Sequence, residues 1–156
     1  MRPAGRGSDD VDSALAASRA LLAVVARSLT DVLEQLTLPQ FRILVVLWEW
    51  GPMRSGDVAE RVGVHQSTLT RTADRLVAAG LIDRRTSAEN RREVIVDLTD
   101  AGRRLVLEVM ARRRAELDRI LRQASPRDRR SIVAGFSAFA RAAGEPDTAD
   151  LVVLGL

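Results

Sequence analysis

Seven residues suited to polar contacts fall within the stretch 65–75, which also holds Thr72 and Asp74: His65, Gln66, Ser67, Thr68, Thr70, Arg71 and Arg75. Short hydrogen-bonding groups beside two guanidiniums suit recognition better than bond making. An amide such as Gln66 can pair with adenine, Arg71 can grip guanine or a phosphate, and Thr70 can meet a thymine methyl or a phosphate. Ser67 and Thr68 suit phosphates or base edges. A second set, Arg84, Arg85, Arg91 and Arg92, flanks the polar segment Thr86-Ser87-Ala88-Glu89-Asn90. Guanidiniums in that position suit the negative potential of a narrow minor groove. The same hairpin also reads as a solvated one, with Asp83, Glu89 and Glu93 neutralising the arginines.

Other chemistries lack their parts. The chain has no cysteine and one histidine, His65, which removes disulfides and thiolate sites and leaves too few ligands for a zinc or transition-metal centre. No glycine-rich phosphate loop, nucleophile-and-base pair or strand-anchored carboxylate pair is present, so the sequence predicts neither an enzyme nor a cofactor. Lys and Arg together number 24 and the net charge is only +3. Every one of those cations is Arg, so the high isoelectric point partly reflects guanidinium basicity. The position of the arginines therefore carries more information than their sum.

Those residues need elements to hold them. Apolar residues at three- and four-residue spacing predict a helix from Asp9 to Leu36, on Leu15, Leu22, Val25, Leu29, Val32 and Leu36. Thr37-Leu38-Pro39-Gln40 is a capping-box start; the helix it opens carries Phe41, Leu44, Val45 and Trp48 and stops at Gly51-Pro52. Two short helices follow, Asp57 to Val62 and Gln66 to Ala79, with Gly63 in the turn and Gly80 as a left-handed cap. The second has Leu69, Ala73, Leu76 and Val77 on one side; Ser67, Arg71, Asp74 and Ala78 face the other. Strands Leu81 to Arg85 and Arg92 to Leu98 then form a hairpin, the latter alternating on Val94, Val96 and Leu98. Thr99 caps a helix from Asp100 to about Arg122, and Ser125-Pro126-Arg127-Asp128 starts the last one, bearing Ile132, Val133, Phe136 and Phe139.

Two amphipathic helices with a glycine turn occur in many bundles, and the adjoining hairpin is what favours a DNA reader. The fold class expected is mainly α with a small β-hairpin wing. The segments are 1–36, an N-terminal tail and helix; 37–98, the winged helix-turn-helix; and 99–156, C-terminal helices and an apolar tail from Leu151 to Leu156. No apolar run approaches the roughly 18 residues of a membrane span, and Arg2 and Arg6 are not followed by the apolar stretch of a secretory leader. The expected location is cytoplasmic, without membrane contact.

The sequence resembles the MarR family of bacterial transcriptional regulators. The resemblance rests on Leu38-Pro39-Gln40-Phe41, on Ser55 to Val64, on Ser67-Thr68-Leu69-Thr70-Arg71 and on Leu76 to Ile82. Its most specific part is Asn90 to Leu98 followed by Thr99-Asp100-Ala101-Gly102. It implies a winged-helix homodimer whose terminal helices interlock, binding double-stranded DNA to repress or activate nearby genes and often released by a small aromatic or lipophilic ligand. It also implies that Arg92 enters the minor groove. Two positions depart from the family pattern. Asn90 replaces the usual Asp of a wing Asp-Arg pair, with Glu89 as a nearby substitute. His65 stands where Ser is common, either as a phosphate contact or as an exposed filler of the cap position. Phe41 and Trp48, with Trp50, lie near the implied ligand pocket or serve as ordinary core. The rival function is a winged helix that binds another protein and no DNA.

Overall fold

The structure is a computed structural model that describes residues 6–86, 90 and 93–144. Its element order is α1 (Arg6–Leu33), α2 (Leu38–Trp50), β1 (Met53–Arg54), α3 (Ser55–Val62), α4 (Gln66–Ala78), β2 (Ile82–Thr86), β3 (Val94–Leu98), α5 (Asp100–Gln123) and α6 (Pro126–Ala142). Two compact units divide the chain, Met1–Arg114 and Ala115–Leu156.

In the first unit α2 is the central element. Its start is fixed by Gln40 Oε1, which accepts from both the backbone N–H and the hydroxyl of Thr37, at 2.7 and 3.0 Å. The expected face of Phe41 and Leu44 is buried, and so are Ile43, Val46 and Leu47, while Val45 and Trp48 are partly buried against them. A helix apolar on nearly all sides belongs inside a core, and the sequence here is almost unbroken in hydrophobic residues.

The sheet exceeds a hairpin. β2 and β3 pair antiparallel with Ile82 opposite Leu98 and Thr86 opposite Val94. β1 adds a third strand on the other side of β3, with Met53 opposite Val96. A two-residue strand gives no alternation to detect, which is why the sequence left it out. Of the alternating face assigned to β3, Val96 and Leu98 are buried but Val94 is exposed, because it lies at the outer end of the strand.

The stripe along α1 also splits. Val24, Leu29 and Val32 are buried, as is Leu36 beyond the helix end, whereas Leu15 is 50% and Leu22 65% exposed. Within Asp9–Leu33, moreover, an 18-residue window reaches a mean hydropathy of 1.2 with little of it buried, so length and apolar composition match those of a membrane span. That corrects the expectation drawn from uninterrupted runs, which Arg19 and Arg27 had broken. The C-terminal part of α1 is joined to α5: Arg112 pairs with Asp31 at 2.6 Å and with Glu108. Arg113 Nε donates to the buried Ser28 Oγ at 3.4 Å, and desolvation lowers its pKa from the usual guanidinium value.

The start of α5 is locked to the exit of α4. Gly80 takes the left-handed conformation (φ +68°), with Gly80 N–H donating to Val77 O and Leu81 N–H to Leu76 O, the paired bonds of a Schellman cap. Thr99 Oγ1 donates to Gly80 O at 2.7 Å and accepts from Gly102 N–H at 3.1 Å; its own N–H donates to Leu81 O at 3.1 Å. A Cβ added to Gly102 would sit 2.1 Å from Leu81 O, so only glycine permits this approach.

In the second unit Ser125 caps α6 as expected, accepting from Asp128 N–H at 3.1 Å. No residue of α6 is buried; Val133, Phe136 and Phe139 are exposed, the last by 68%. The tail 151–156 lies outside the described residues.

Candidate nucleic-acid interface

The helix-turn-helix is built from its apolar seam outward. Val58, Ala59 and Val62 of α3 and Leu69, Ala73 and Leu76 of α4 are all buried. Gly63 at φ +74° turns the chain between them, and Val64 N–H donates back to Ala59 O at 3.0 Å. Burying one side of α4 fixes which side faces out. Val77, expected on the apolar side, is 40% exposed at the edge of the seam.

Gln66, Ser67, Thr68, Thr70, Arg71 and Arg75 are all exposed on α4, together with His65 just before it. His65 adopts the extended backbone of an N-cap but makes no side-chain capping bond. Gln66 Nε2 donates to Ser55 Oγ at 2.9 Å, which ties the two helices at their N-termini. Thr70 Oγ1 donates to Gln66 O at 2.9 Å while the residue stays exposed. The side chains of Ser67, Arg71 and Arg75 have no hydrogen-bond or ion-pair partner among the described residues.

The hairpin distributes its arginines differently from the expectation. Arg84 is not presented outward. Its Nη1 pairs with Asp74 and its Nη2 donates to Thr70 O at 2.9 Å, both on α4. Strand alternation was the available signal, because Arg84 lies two residues after the buried Ile82 and so shares its face. Arg85, one residue on, is exposed and unpaired among the described residues. Arg91 and Arg92 lie outside the described residues, as does Glu89. Asn90 Nδ2 donates to Glu93 Oε1 at 3.1 Å, and Glu93 Oε2 pairs with Arg54 Nε at 2.9 Å. Between these pairs lies an open cleft of about 340 Å³, lined by Arg54, Ser55, Gln66, Thr70, Arg84 and Glu93 among others.

Elsewhere the candidate aromatics divide. Phe41 is core, 4% exposed, and Trp48 packs against that core. Trp50 is exposed, with the Arg61 guanidinium 3.8 Å from the centre of its ring, a cation–π contact. Among the described residues no group of three or more His, Cys, Asp or Glu side chains is placed to hold a metal ion.

Comparison with known proteins agrees with this architecture. Residues 36–94 match the MarR family profile. The chain is 31% identical over 107 residues to the uncharacterized HTH-type transcriptional regulator YfiV of Bacillus subtilis, covering 69% of this chain and 67% of that one. It is also 31% identical over 123 residues to the HTH-type transcriptional repressor MdtR of the same organism, covering 78% and 77%. Among solved structures, RV1404 of Mycobacterium tuberculosis superposes with a TM-score of 0.85 at 40% identity, covering 93% of this chain and 99% of that one. With a three-stranded wing set behind an exposed polar helix and relatives matched along most of their length, the chain belongs to the MarR family of winged helix-turn-helix transcriptional regulators.

Proposed function

We propose that this protein binds a pseudo-palindromic DNA operator as a homodimer and represses transcription from it, in the cytoplasm. One observation carries the reading: a helix that buries Leu69, Ala73 and Leu76 turns a largely polar face outward, on which the Arg71 and Arg75 side chains have no partner among the described residues. Guanidiniums left without counter-charges beside amides and hydroxyls suit phosphates and base edges together. In this reading Gln66, Ser67, Thr68, Thr70 and Arg71 enter the major groove, Arg75 and His65 meet the backbone, and Arg91 and Arg92 reach the minor groove. The name of the relative MdtR supports repression.

Apolar surface supports the dimer. Val11, Leu15 and Leu22 on α1 are at least half exposed, and α6 leaves Phe136 and Phe139 uncovered. Groups of this kind are usual where a second chain packs, and twofold pairing is the commonest oligomeric symmetry. Two linked modules also gain affinity that one module with few base contacts lacks.

Selection of bound duplexes from a random pool tests the whole reading. The expected product is an inverted repeat with half-sites about one helical turn apart, whose binding weakens steeply with salt. Failure to enrich any sequence would reject it in favour of a protein-binding winged helix.

A further inference from the structure

Two ion pairs border the cleft between α4 and the wing, and their carboxylates are unexpected for a surface that meets a polyanion. In one, Arg84 of β2 spans Asp74 and the Thr70 carbonyl of α4. In the other, Arg54, at the junction of β1 and α3, holds Glu93 just before β3, and the second oxygen of Glu93 takes the Asn90 amide. Arg54 and Glu93 join segments far apart in sequence, Arg84 ties β2 back to the helix that precedes it, and Arg54, Thr70, Arg84 and Glu93 all line the cleft. A free arginine here would be a plain phosphate contact, and a free carboxylate would repel DNA. Neither charge is free.

We propose that these two ion pairs are braces that aim the wing relative to the recognition helix, and that Arg84, Asp74, Arg54 and Glu93 are positioning residues, not DNA contacts. The Arg84 guanidinium uses two separate nitrogens on two points of α4, which fixes a direction as well as a distance. The side chain of Arg84 is 26% exposed, less than that of Asp74 at 59%, so Arg84 is the more covered partner. Glu93 is likewise the more covered partner, at 29% against 57% for Arg54. The brace through Arg54 thus links the base of the wing to the first residues of α3.

This inference builds on the DNA-binding reading, and charge removal separates the two possible roles. Coulomb attraction alone makes Asp74→Asn and Glu93→Gln bind DNA more tightly, since each removes a negative charge beside a phosphate backbone. As braces they do the opposite: each variant weakens binding about five- to tenfold, the scale of a well-placed charged pair. Arg84→Gln weakens it similarly with an unchanged salt slope, whereas loss of a phosphate contact lowers the slope by about one. A second readout needs no DNA. The chain has no native cysteine, so spin labels placed through Ser67→Cys and Thr86→Cys report the distance between helix and wing. Asp74→Asn and Glu93→Gln broaden that distribution if the braces hold the joint. Tighter binding by both carboxylate variants, a salt slope reduced in Arg84→Gln, or an unchanged distance distribution would each overturn the proposal. If the unmodified protein selects no duplex at all, the DNA reading fails, and the distance measurement alone decides the braces.

Discussion

Helices α4 and α6 both leave much of their surface uncovered, yet they do so with opposite chemistry. α4 buries Leu69, Ala73 and Leu76 and exposes amides, hydroxyls and guanidiniums; α6 buries nothing and exposes Val133, Phe136 and Phe139. A polar face over a finished apolar seam calls for a partner that brings hydrogen bonds and charge. An apolar face with no seam beneath it calls for a partner that excludes water. Exposure alone is therefore uninformative, and what lies under the exposed face identifies the class of partner.

Breaking the seam should have the largest effect. Leu76→Ala removes a side chain with no exposed area, and we expect a loss of about 2–5 kcal/mol of stability, measured by denaturant unfolding. Next comes the apolar face: Phe136→Asp with Phe139→Asp should weaken self-association by about 2 kcal/mol or more, read by sedimentation equilibrium, while leaving the helical circular dichroism in place. On the polar face, Arg71→Ala should cost on the order of 1–3 kcal/mol of operator affinity. Arg92→Ala should weaken binding and reduce the salt slope by about one; unchanged affinity in both would remove the residue assignments. The smallest effect sharpens the contrast. Ser67→Ala should shift unfolding stability by no more than about 0.5 kcal/mol while still lowering operator affinity, because that side chain has no partner among the described residues.

The parts of this arrangement legible in the sequence were those set by local chemistry. Gly80 took the left-handed conformation expected of it and Gly63 made the expected turn, Ser125 and Thr99 capped the helices they precede, and the three- and four-residue spacing of α4 identified its buried side. What escaped was set by neighbours. β1 exists because β3 has a free edge to pair with, a property that the residues Met53 and Arg54 do not carry. The stripe on α1 is continuous in sequence but only its C-terminal part meets a core. Arg84 counted as one of four outward cations until Asp74 and the Thr70 carbonyl, 10 and 14 residues earlier, were found within reach. Charge partners at such separations are invisible to any local pattern.

The contact between Gly102 and the Leu81 carbonyl bears on how this molecule can move. Thr99 fastens the same corner by two further bonds, to the Gly80 and Leu81 carbonyls, so the base of α5 is held directly against the exit of α4. A tilt imposed on the first turn of α5 must be carried into the helix that faces outward with Arg71, as a key turns with its shaft. Whatever shifts that turn also re-aims the reader.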